Sequence, residues 1–372
     1  MRVGVNALYL IPGGVGGTEI YLRHLLRGLA KVDRRNEYVV FTNRETDAGL
    51  VPQAKNFRIA PQAVRASSRP ARMVWEQTAL PLSAARHGVN VLFNPGFTAP
   101  FVARCPSVTV FHDLQHKRHP EYFRWFDLPA WRFFLWGAAH LSRLLLADSE
   151  PTRTDLLRYY RLRPEKVRTV PLGVDPEFFE IGRKRRAEAG KNAKPFILCA
   201  STLHPHKNLV RLVRAFVTLA RRRPELSLVI TGVRGFHTEA VELAVKDADL
   251  GDRIRLAGWV PRQELYRLFS DARAFVYPSL FEGFGMPVVE AMAAGLPTAC
   301  SAVEPVRSIA ANGALCFDPD DTVAMIEALD AVASDETVRA KLMKAGPIRA
   351  RAFSWERTAE LTLNALREAT RK

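Results

Sequence analysis

Two glutamates bracket a glycine-rich stretch at Tyr277–Thr298, which reads YPSLFEGFGMPVVEAMAAGLPT. Seven residues separate Glu282 from Glu290. If a helix begins between them, its free amides near Gly285 and Met286 and the positive end of its dipole make a site for an anion such as phosphate. The carboxylates would then face whatever that anion carries. The same spacing also fits a catalytic acid and base, or an ordinary solvated helix residue at the second glutamate.

A strand, a loop and a helix are expected to position these two carboxylates. The apolar run Ala274–Tyr277 predicts the strand. Pro287 suits the first helical turn because its missing N–H would be unbonded there, and Gly295 suits the left-handed residue just past the helix end. The first glutamate then lies on the loop and the second on the helix.

Lys207 is the second candidate for binding a phosphate. It stands in the segment STLHPHKN, behind the predicted strand Phe196–Ala200 and before a predicted helix. Ligands of parallel sheets bind beyond the carboxyl ends of the strands, so this lysine is placed to reach a phosphate there. An ordinary surface lysine would show the same pattern.

A glycine-rich loop, PGGVGGT at Pro12–Thr18, follows the first predicted strand. It lacks the lysine of a Walker loop and the spacing of a dinucleotide fingerprint. Gly16 and Gly17 at a helix entry either let a phosphate or a sugar approach backbone amides closely, or form a plain tight turn.

His112 and Asp113 follow another predicted strand, Ser107–Phe111, and so fall on the same ligand-binding edge. A structural histidine is the alternative reading. His116 and His119 have no such placement, and the histidine spacing fits no recurrent metal-ligand pattern. A metal site built from these histidines is therefore the less favoured alternative at this point.

Both halves of the chain alternate strand-like and helical segments, which predicts a doubly wound parallel α/β sheet in each half. A ligand is expected in the cleft between the two domains. The predicted strands are Val3–Leu8, Tyr38–Thr42, Phe57–Ala60, Val89–Phe93, Ser107–Phe111, Leu144–Ala147, Val167–Val170, Phe196–Ala200, Ser227–Thr231, Ile254–Leu256, Ala274–Tyr277, Thr298–Ser301 and Ala314–Phe317. The main predicted helices are Thr18–Lys31, Leu128–Leu141, Leu209–Arg222, Gln263–Ser270 and Pro287–Ala294.

Two segments of unusual composition stand out from this alternation of strands and helices. The charged stretch Arg183–Lys194 is interpreted as a linker and surface loop between the domains. The segment Tyr122–Trp136 combines eight aromatic residues with two arginines. Packing in the core is the favoured interpretation of these aromatics, and contact with a membrane interface or a hydrophobic acceptor is the alternative.

Composition sets the broad class of protein. The 372 residues are 48% hydrophobic and 25% charged, which is typical of a soluble globular protein. No run is apolar enough for a membrane span, no signal-peptide pattern opens the chain, and the four scattered cysteines predict a cytoplasmic protein without a metal cluster. The net charge of +16 favours anionic partners such as nucleotide phosphates or an anionic membrane surface. No nucleic-acid-binding pattern is visible.

Six motifs in this order resemble those of the family 4 glycosyltransferases, which are retaining enzymes with the two-domain GT-B fold. The resemblance covers nearly the whole chain. The motifs are VPLGVD, STLHPHKNL, GWVPRQEL, PSLFEGFGMPVVEAMAAGLP, FDPDD and FSWERTA. The resemblance implies two facing Rossmann-like domains with a cleft between them. Residues 1–172 would form the acceptor-side domain, 173–353 the nucleotide-sugar domain, and 354–372 a helix that packs back on the first domain.

The same resemblance implies roles for the individual residues. Glu290 would bind the ribose hydroxyls of the nucleotide and Glu282 the hydroxyls of the donor sugar. Lys207 would neutralise the departing phosphate. His112 would lie beside the anomeric centre. The remaining implied contacts are backbone amides at Gly16, Gly17, Gly285 and Met286 to the diphosphate, the backbone of Gly258 to Val260 to the base, and Asp113 to the acceptor.

The implied activity is metal-independent transfer of a hexose-type sugar from a nucleotide-diphosphate sugar to a glycan or lipid-linked acceptor. We expect no cofactor, and a location in the cytoplasm or at the inner face of the membrane. Many family members carry an arginine near the phosphate lysine, whereas Thr202 and His206 occupy those positions here. A nucleotide-sugar-binding protein without activity, a nucleotide-sugar epimerase and a glycoside hydrolase are the competing readings.

Overall fold

The structure is a computed structural model that describes residues 1–14, 16–187 and 193–371. The chain divides into two compact units. Unit 1 consists of Met1–Gly173 and Ser354–Lys372, and unit 2 consists of Val174–Phe353. Each unit is built on one parallel sheet.

Unit 1 contains a seven-stranded parallel sheet with the order β3-β2-β1-β4-β5-β6-β7. Its strands are β1 (Arg2–Ala7), β2 (Glu37–Thr42), β3 (Phe57–Pro61), β4 (Val91–Asn94), β5 (Ser107–Phe111), β6 (Leu144–Ala147) and β7 (Val167–Thr169). Its first helices are α1 (Gly17–Val32), α2 (Arg69–Arg86), α3 (Gln115–Arg118), α4 (Leu128–Leu141) and α5 (Glu150–Tyr160). The strand order reverses between β1 and β4, which is where ligands bind in doubly wound sheets.

Unit 2 contains a six-stranded parallel sheet with the order β10-β9-β8-β11-β12-β13. Its strands are β8 (Lys194–Ala200), β9 (Ser227–Thr231), β10 (Ile254–Gly258), β11 (Ala272–Tyr277), β12 (Thr298–Ser301) and β13 (Leu315–Phe317). Its helices are α6 (Pro176–Ala187), α7 (Leu209–Arg222), α8 (Thr238–Asp247), α9 (Arg262–Asp271), α10 (Met286–Ala293), α11 (Val306–Ala310), α12 (Thr322–Ser334) and α13 (Glu336–Ala350). Here the order reverses between β8 and β11.

The last helix, α14 (Trp355–Thr370), belongs to unit 1 and packs on α1. Ser354 caps it by accepting a hydrogen bond from the backbone amide of Arg357 at 3.2 Å. Trp355 is buried, and its ring stacks on His24 with the ring centroids 5.3 Å apart. Gly28 lets the two helices approach, because a Cβ there would lie 2.8 Å from the Trp355 carbonyl oxygen.

The cores of both units follow from the apolar pattern of the strands. Each strand of a parallel sheet is covered by helices on both faces, so its residues are apolar almost without alternation. In unit 2, α7 presents one apolar face to the sheet, with Leu212, Phe216 and Leu219 fully buried. Both parallel doubly wound sheets of the α/β prediction are confirmed, and most predicted element ends agree with the structure within one or two residues.

The charged stretch Arg183–Lys194 departs from its prediction. Its first part is the end of helix α6, which continues to Ala187, and its last residue begins β8. The linker interpretation is therefore wrong for residues 183–187, since α6 buries Phe178 and Ile181 against unit 2. Residues 188–192, which include Lys191, lie outside the described part of the chain.

Candidate active site

Lys207 and Glu282 meet at the point where the strand order of unit 2 reverses. Lys207 ends a 3-10 turn that follows β8, and Glu282 lies on the loop that follows the adjacent strand β11. The lysine Nζ donates to Glu282 Oε1 at 2.5 Å and to the Tyr277 hydroxyl at 3.1 Å. Their side chains are only 12% and 10% exposed. Lys207 is therefore not an ordinary surface lysine.

The charge of Lys207 is maintained by its neighbours. Burial alone would lower the pKa of the ammonium, but the attraction of Glu282 and Tyr277 outweighs burial and raises the pKa well above its ordinary value. An ammonium has three N–H donors, and the two bonds described above use two of them. The site therefore holds a permanent cation that can donate one more hydrogen bond.

Helix α10 begins beside this ion pair. Gly285 is its N-cap residue with φ +96°, a conformation that favours glycine, and Pro287 lies in its first turn. Gly295 just past the helix end has φ +64°. The predictions for both helix ends are thus confirmed. The first turn of α10 begins with backbone amides that have no partner within the helix, and it directly follows the loop that carries Glu282.

Glu290 is buried on α10 and is not a solvated helix residue. Its Oε1 accepts a hydrogen bond from Arg262 Nη2 at 3.2 Å, and its exposed fraction is 5%. Burial raises the pKa of Glu290, although Arg262 opposes the shift. Arg262 also donates to Asp175 Oδ2 at 3.1 Å and packs over the rings of Phe178 and Tyr266, each 5.0 Å away. Three of the six sequence motifs therefore meet in one ion-pair cluster.

Arg262 was not identified from the sequence as a site residue, although it stands inside the motif GWVPRQEL. Its guanidinium Nη1 is buried and has no hydrogen-bond partner in the described part of the chain. An unpaired buried nitrogen costs free energy unless something binds it. The Gly258 to Val260 loop, which was predicted to lie near the base, precedes this arginine by only a few residues and leaves β10 at the carboxyl edge of the sheet.

His206 and Thr202, where the family resemblance leads one to expect an arginine, lie in the segment between β8 and α7 that also carries Lys207. His206 is 8% exposed, and its ring stacks on that of His204 with centroids 5.8 Å apart. Its carbonyl oxygen accepts a hydrogen bond from the Leu280 amide at 2.7 Å. His206 therefore ties the Lys207 turn to the Glu282 loop.

In unit 1, His112 follows β5 and is held on both ring nitrogens. Nδ1 lies 2.7 Å from Asp148 Oδ2, and Nε2 lies 2.9 Å from the Pro95 carbonyl oxygen. The ring packs edge-on to Tyr21 and Phe97, with centroids 4.8 Å and 5.1 Å away. Both partners are acceptors, so the protonated imidazolium satisfies both bonds. Burial opposes that charge, but Asp148 outweighs it and raises the pKa of His112.

Asp148 is a second residue that sequence reasoning missed. It is 3% exposed and directly follows β6, the strand next to β5. Asp148 could have been found from its position directly after a predicted strand, which is the same feature that indicated His112. Asp113 was singled out instead, and its Oδ1 accepts a hydrogen bond from the Gln115 amide at 2.9 Å.

The glycine loop of unit 1 leads into α1 as predicted. Gly16 is the N-cap residue with φ +60°, and the space that a Cβ would take is open to a distance of 4 Å. Gly17 begins the helix and is exposed. The Glu19 carboxylate folds back over the loop and accepts a hydrogen bond from the Gly13 amide at 2.8 Å. Val15 of this loop lies outside the described residues.

The aromatic segment Tyr122–Trp136 does not pack wholly into the core, so the favoured interpretation is wrong for part of it. Trp125 and Phe126 precede α4 and are 83% and 56% exposed, whereas Phe133 and Trp136 on α4 are 56% and 51% exposed. The helix buries its other face, which includes Leu135. One helix with an apolar buried face therefore also carries an aromatic outer face.

Within residues 1–14, 16–187 and 193–371, no group of three or more His, Cys, Asp or Glu side chains is arranged to hold a metal ion. Cys300 and Cys316 lie on neighbouring strands with their Sγ atoms 3.8 Å apart, and all four cysteines are free. In the same described residues, no helix has the length and hydropathy needed to cross a bilayer.

Comparison with known families covers most of the chain in two parts. The family described as Glycosyltransferase Family 4 matches residues 15–178, and the family described as Glycosyl transferases group 1 matches residues 181–349. The two matches correspond closely to units 1 and 2.

Individual relatives agree with this assignment. The chain is 28% identical over 269 residues to O-antigen chain mannosyltransferase B of Escherichia coli, covering 70% of this chain and 69% of that protein. It is 26% identical over 402 residues to the MMP alpha-(1->4)-mannosyltransferase of Mycolicibacterium hassiacum, covering 94% and 93%. For the D-inositol 3-phosphate glycosyltransferase of Kribbella flavida, at 30% identity, the match covers 61% of this chain and only 56% of that protein.

Solved structures show the same fold. Sucrose-phosphate synthase from Thermosynechococcus elongatus superposes with a TM-score of 0.79 over 99% of this chain and 98% of that chain, at 19% identity. Anabaena HepE in complex with UDP and glucose superposes with a TM-score of 0.75 over 99% and 100%, at 17% identity. At these identities the likeness concerns the fold alone, which is the GT-B fold.

Proposed function

The chain belongs to the glycosyltransferases of group 1 and family 4, and we propose that it is a retaining, metal-independent hexosyltransferase with a nucleotide-diphosphate sugar as donor. The observation that carries the proposal is the Lys207 and Glu282 ion pair, which is buried beside the first turn of α10. A fixed cation next to open helix amides is suited to a diphosphate.

The chemistry of glycosyl transfer explains why such a site is needed. When the bond between the sugar and the phosphate breaks, positive charge develops on the ring carbon and negative charge on the departing diphosphate. Lys207 and the amides at Gly285 and Met286 would stabilise that negative charge without reorganising, because they are already held in place. We propose that these groups take the part that a divalent metal plays in other enzymes.

The neighbouring groups would hold the rest of the donor. Glu282 would accept hydrogen bonds from the sugar hydroxyls, and Glu290 from the ribose hydroxyls, with Arg262 keeping the second carboxylate oriented. Gly16 and Gly17 would offer amides to the diphosphate, and the Gly258 to Val260 loop would approach the base. His112 would lie near the anomeric carbon and Asp113 near the acceptor.

The donor is tested by a thermal-shift screen with UDP-, GDP-, dTDP- and ADP-sugars, followed by incubation with the best binder and an acceptor. A ligand that binds only the folded state must raise the melting temperature. We expect transfer that persists in EDTA and a product with the anomeric configuration of the donor, measured by NMR. Activity that is lost in chelator and restored by a divalent ion would overturn the metal-independent part, and an inverted product would overturn retention.

A nucleotide-sugar-binding protein without transfer activity is the second candidate. It is favoured by Thr202 and His206, which leave one fewer fixed positive charge near the diphosphate. The same assay separates the alternatives, because binding without turnover supports this candidate, and isomerisation of the free donor supports an epimerase.

We further propose a glycan or lipid-linked acceptor and contact with an anionic membrane face. The net charge of +16 and the exposed aromatic side chains of Trp125, Phe126, Phe133 and Trp136 support contact with a membrane. The test is co-sedimentation with anionic vesicles at low salt, where exposed basic residues act most strongly. Replacing Trp125 and Trp136 by serine should weaken binding, and failure of the unaltered protein to bind would overturn the proposal.

A further inference from the structure

A large cavity lies at the edge of the unit 1 sheet opposite to His112. Its volume is about 1040 Å³. Its lining includes Ser107 and Leu144, the first residues of β5 and β6. His112 and Asp148 follow the other ends of these two strands. The cavity is therefore separate from the predicted donor site, and none of its lining residues takes part in the proposed mechanism.

The lining of this cavity is strongly basic. Five of its residues carry a positive charge and two carry a negative charge. The basic residues are Arg143, Arg161, Arg163, Lys166 and Arg168, and the acidic residues are Glu165 and Glu368. Such an excess of positive charge attracts an anion.

Internal contacts satisfy only two of these cations. Lys166 Nζ donates to the His140 carbonyl oxygen at 2.5 Å, and Arg168 pairs with Glu368 at 2.5 Å. Arg143, Arg161 and Arg163 are exposed, and no ion-pair or hydrogen-bond partner of their guanidinium groups occurs among the residues that the structure describes. Three guanidinium groups thus remain available around one cavity.

Arg161 lies at the end of α5, beside the cavity. This residue follows the end of α5 with φ +51° and ψ +44°, the left-handed conformation that glycine or asparagine usually supplies. Arg161 is one of the residues that line the cavity.

We propose that this cavity is a binding site for the phosphate group of an organic phosphate. Guanidinium groups bind phosphate oxygens in pairs of parallel hydrogen bonds, which lysine cannot do. The cavity is larger than a phosphate alone requires, because ligand pockets of about 300–1,000 Å³ hold whole small molecules. Its rim also includes Leu141, which is 52% exposed at the end of α4. A phosphate that is attached to an apolar body fits this combination.

The test uses a double variant, Arg143→Gln with Arg163→Gln, and a matched control, Arg34→Gln with Arg35→Gln. The control residues are exposed in the same unit, just before β2 on the same edge of the sheet. They stand three strands from β5, about 14 Å at the usual strand spacing. Both variants remove two positive charges, so non-specific attraction falls equally. Arg143→Lys with Arg163→Lys keeps the charge but removes the paired hydrogen bonds.

Two probes separate the sources of the phosphate. The first is inorganic phosphate in a thermal-shift titration in the Lys207→Ala background, which removes the other phosphate candidate. The second is co-sedimentation with phosphatidylcholine vesicles with and without phosphatidylglycerol. A free phosphate ligand predicts a melting-temperature shift that the control keeps and the Gln double variant loses. A lipid headgroup predicts that binding to the phosphatidylglycerol vesicles falls more in the Gln double variant than in the control, because the control loses only the non-specific attraction of two charges.

Either result supports a phosphate site, and an intermediate loss in the Lys double variant supports recognition by guanidinium pairs. The proposal is overturned if the control loses as much binding as the cavity variant. The loss of binding would then be due to the lower net charge alone. It is also overturned if neither probe distinguishes the variants. Thermal unfolding without ligand verifies that each variant is folded.

Discussion

The Lys207 side chain is nearly buried, and a carboxylate and a phenol hold its charge there. Replacing it by alanine removes the cation that would meet the leaving phosphate. We expect turnover to fall about 10²–10³-fold, the usual effect of losing one preorganised donor to a developing negative charge. The measurement is kcat with the donor identified in the screen.

The control for this variant is Lys246→Ala, which removes an exposed lysine of α8. It should leave kcat unchanged. Near-normal turnover in Lys207→Ala would remove this lysine from the mechanism, and a melting temperature close to that of the unaltered protein is required before either result is interpreted.

His112 provides a prediction about pH. Its folded pKa is raised above the value in the unfolded chain, chiefly because Asp148 outweighs burial. The stabilisation is therefore complete below the unfolded pKa of about 6.5 and is lost as the pH rises through the folded pKa. Asp148→Asn should lower the pKa of His112 in an NMR titration of the ring. It should also cost more unfolding free energy near pH 6 than near pH 9.

An unchanged His112 titration in this variant would contradict the assignment of the raised pKa to Asp148. Asp113→Asn is the comparison variant, because Asp113 is adjacent in sequence but bonds to the Gln115 amide and contributes least to the shift. It should move the His112 pKa much less.

At the scale of elements, the start of α10 depends on one glycine. Gly285 has φ +96°, and a Cβ there would lie 3.0 Å from Val306 Cγ2. Gly285→Ala should therefore lower the free energy of unfolding by about 1–2 kcal/mol for the backbone conformation alone, and more because of this contact. Urea unfolding measures the loss. Weaker donor binding should accompany it if the first turn of α10 holds the diphosphate.

Gly251→Ala is the matched control for the helix start. Gly251 also has a left-handed φ, +54°, but a Cβ there would meet nothing within 4 Å. It should show only the conformational cost and no change in donor binding. Equal losses in the two variants would mean that the contact with Val306 relaxes freely.

At the scale of the whole molecule, the chain leaves unit 1 after Gly173 and returns to it at Ser354. Trp355 holds the returning segment on unit 1, because its side chain is buried and packs on Tyr21 and His24 of α1. Trp355→Ala should cost about 3–5 kcal/mol, as large core truncations do. Hydrogen exchange should then speed up in α1 and β1 while the β8 and α7 amides of unit 2 stay protected.

The converse variant is Phe216→Ala, which removes a fully buried side chain from the unit 2 core. It should expose amides of unit 2 and spare those of unit 1. If both variants loosen both units equally, the chain unfolds as one cooperative block.

Much of the fold was predictable because burial on two faces makes each parallel strand a short apolar run. Ser107–Phe111, Leu144–Ala147 and Ser227–Thr231 agree with their predicted bounds for this reason. The charged stretch that begins at Arg183 was wrongly predicted to be a loop. A run of charged residues indicates an exposed surface, and an exposed surface can belong to a helix as well as to a loop. α6 is charged on one face and buries Phe178 and Ile181 on the other.

The sequence by itself determined the two sheets, the helix that carries Glu290 and the motifs that identify the family, because these depend on local spacing and apolar periodicity. Only the tertiary structure decided which side chains pair. Lys207 bonds to Glu282 across 75 positions, Asp148 to His112 across 36, and Arg262 joins Asp175 to Glu290. Such contacts depend on which strands become neighbours, and local patterns do not encode that order. The same packing places the two glutamates in separate ion pairs, Glu282 with Lys207 and Glu290 with Arg262.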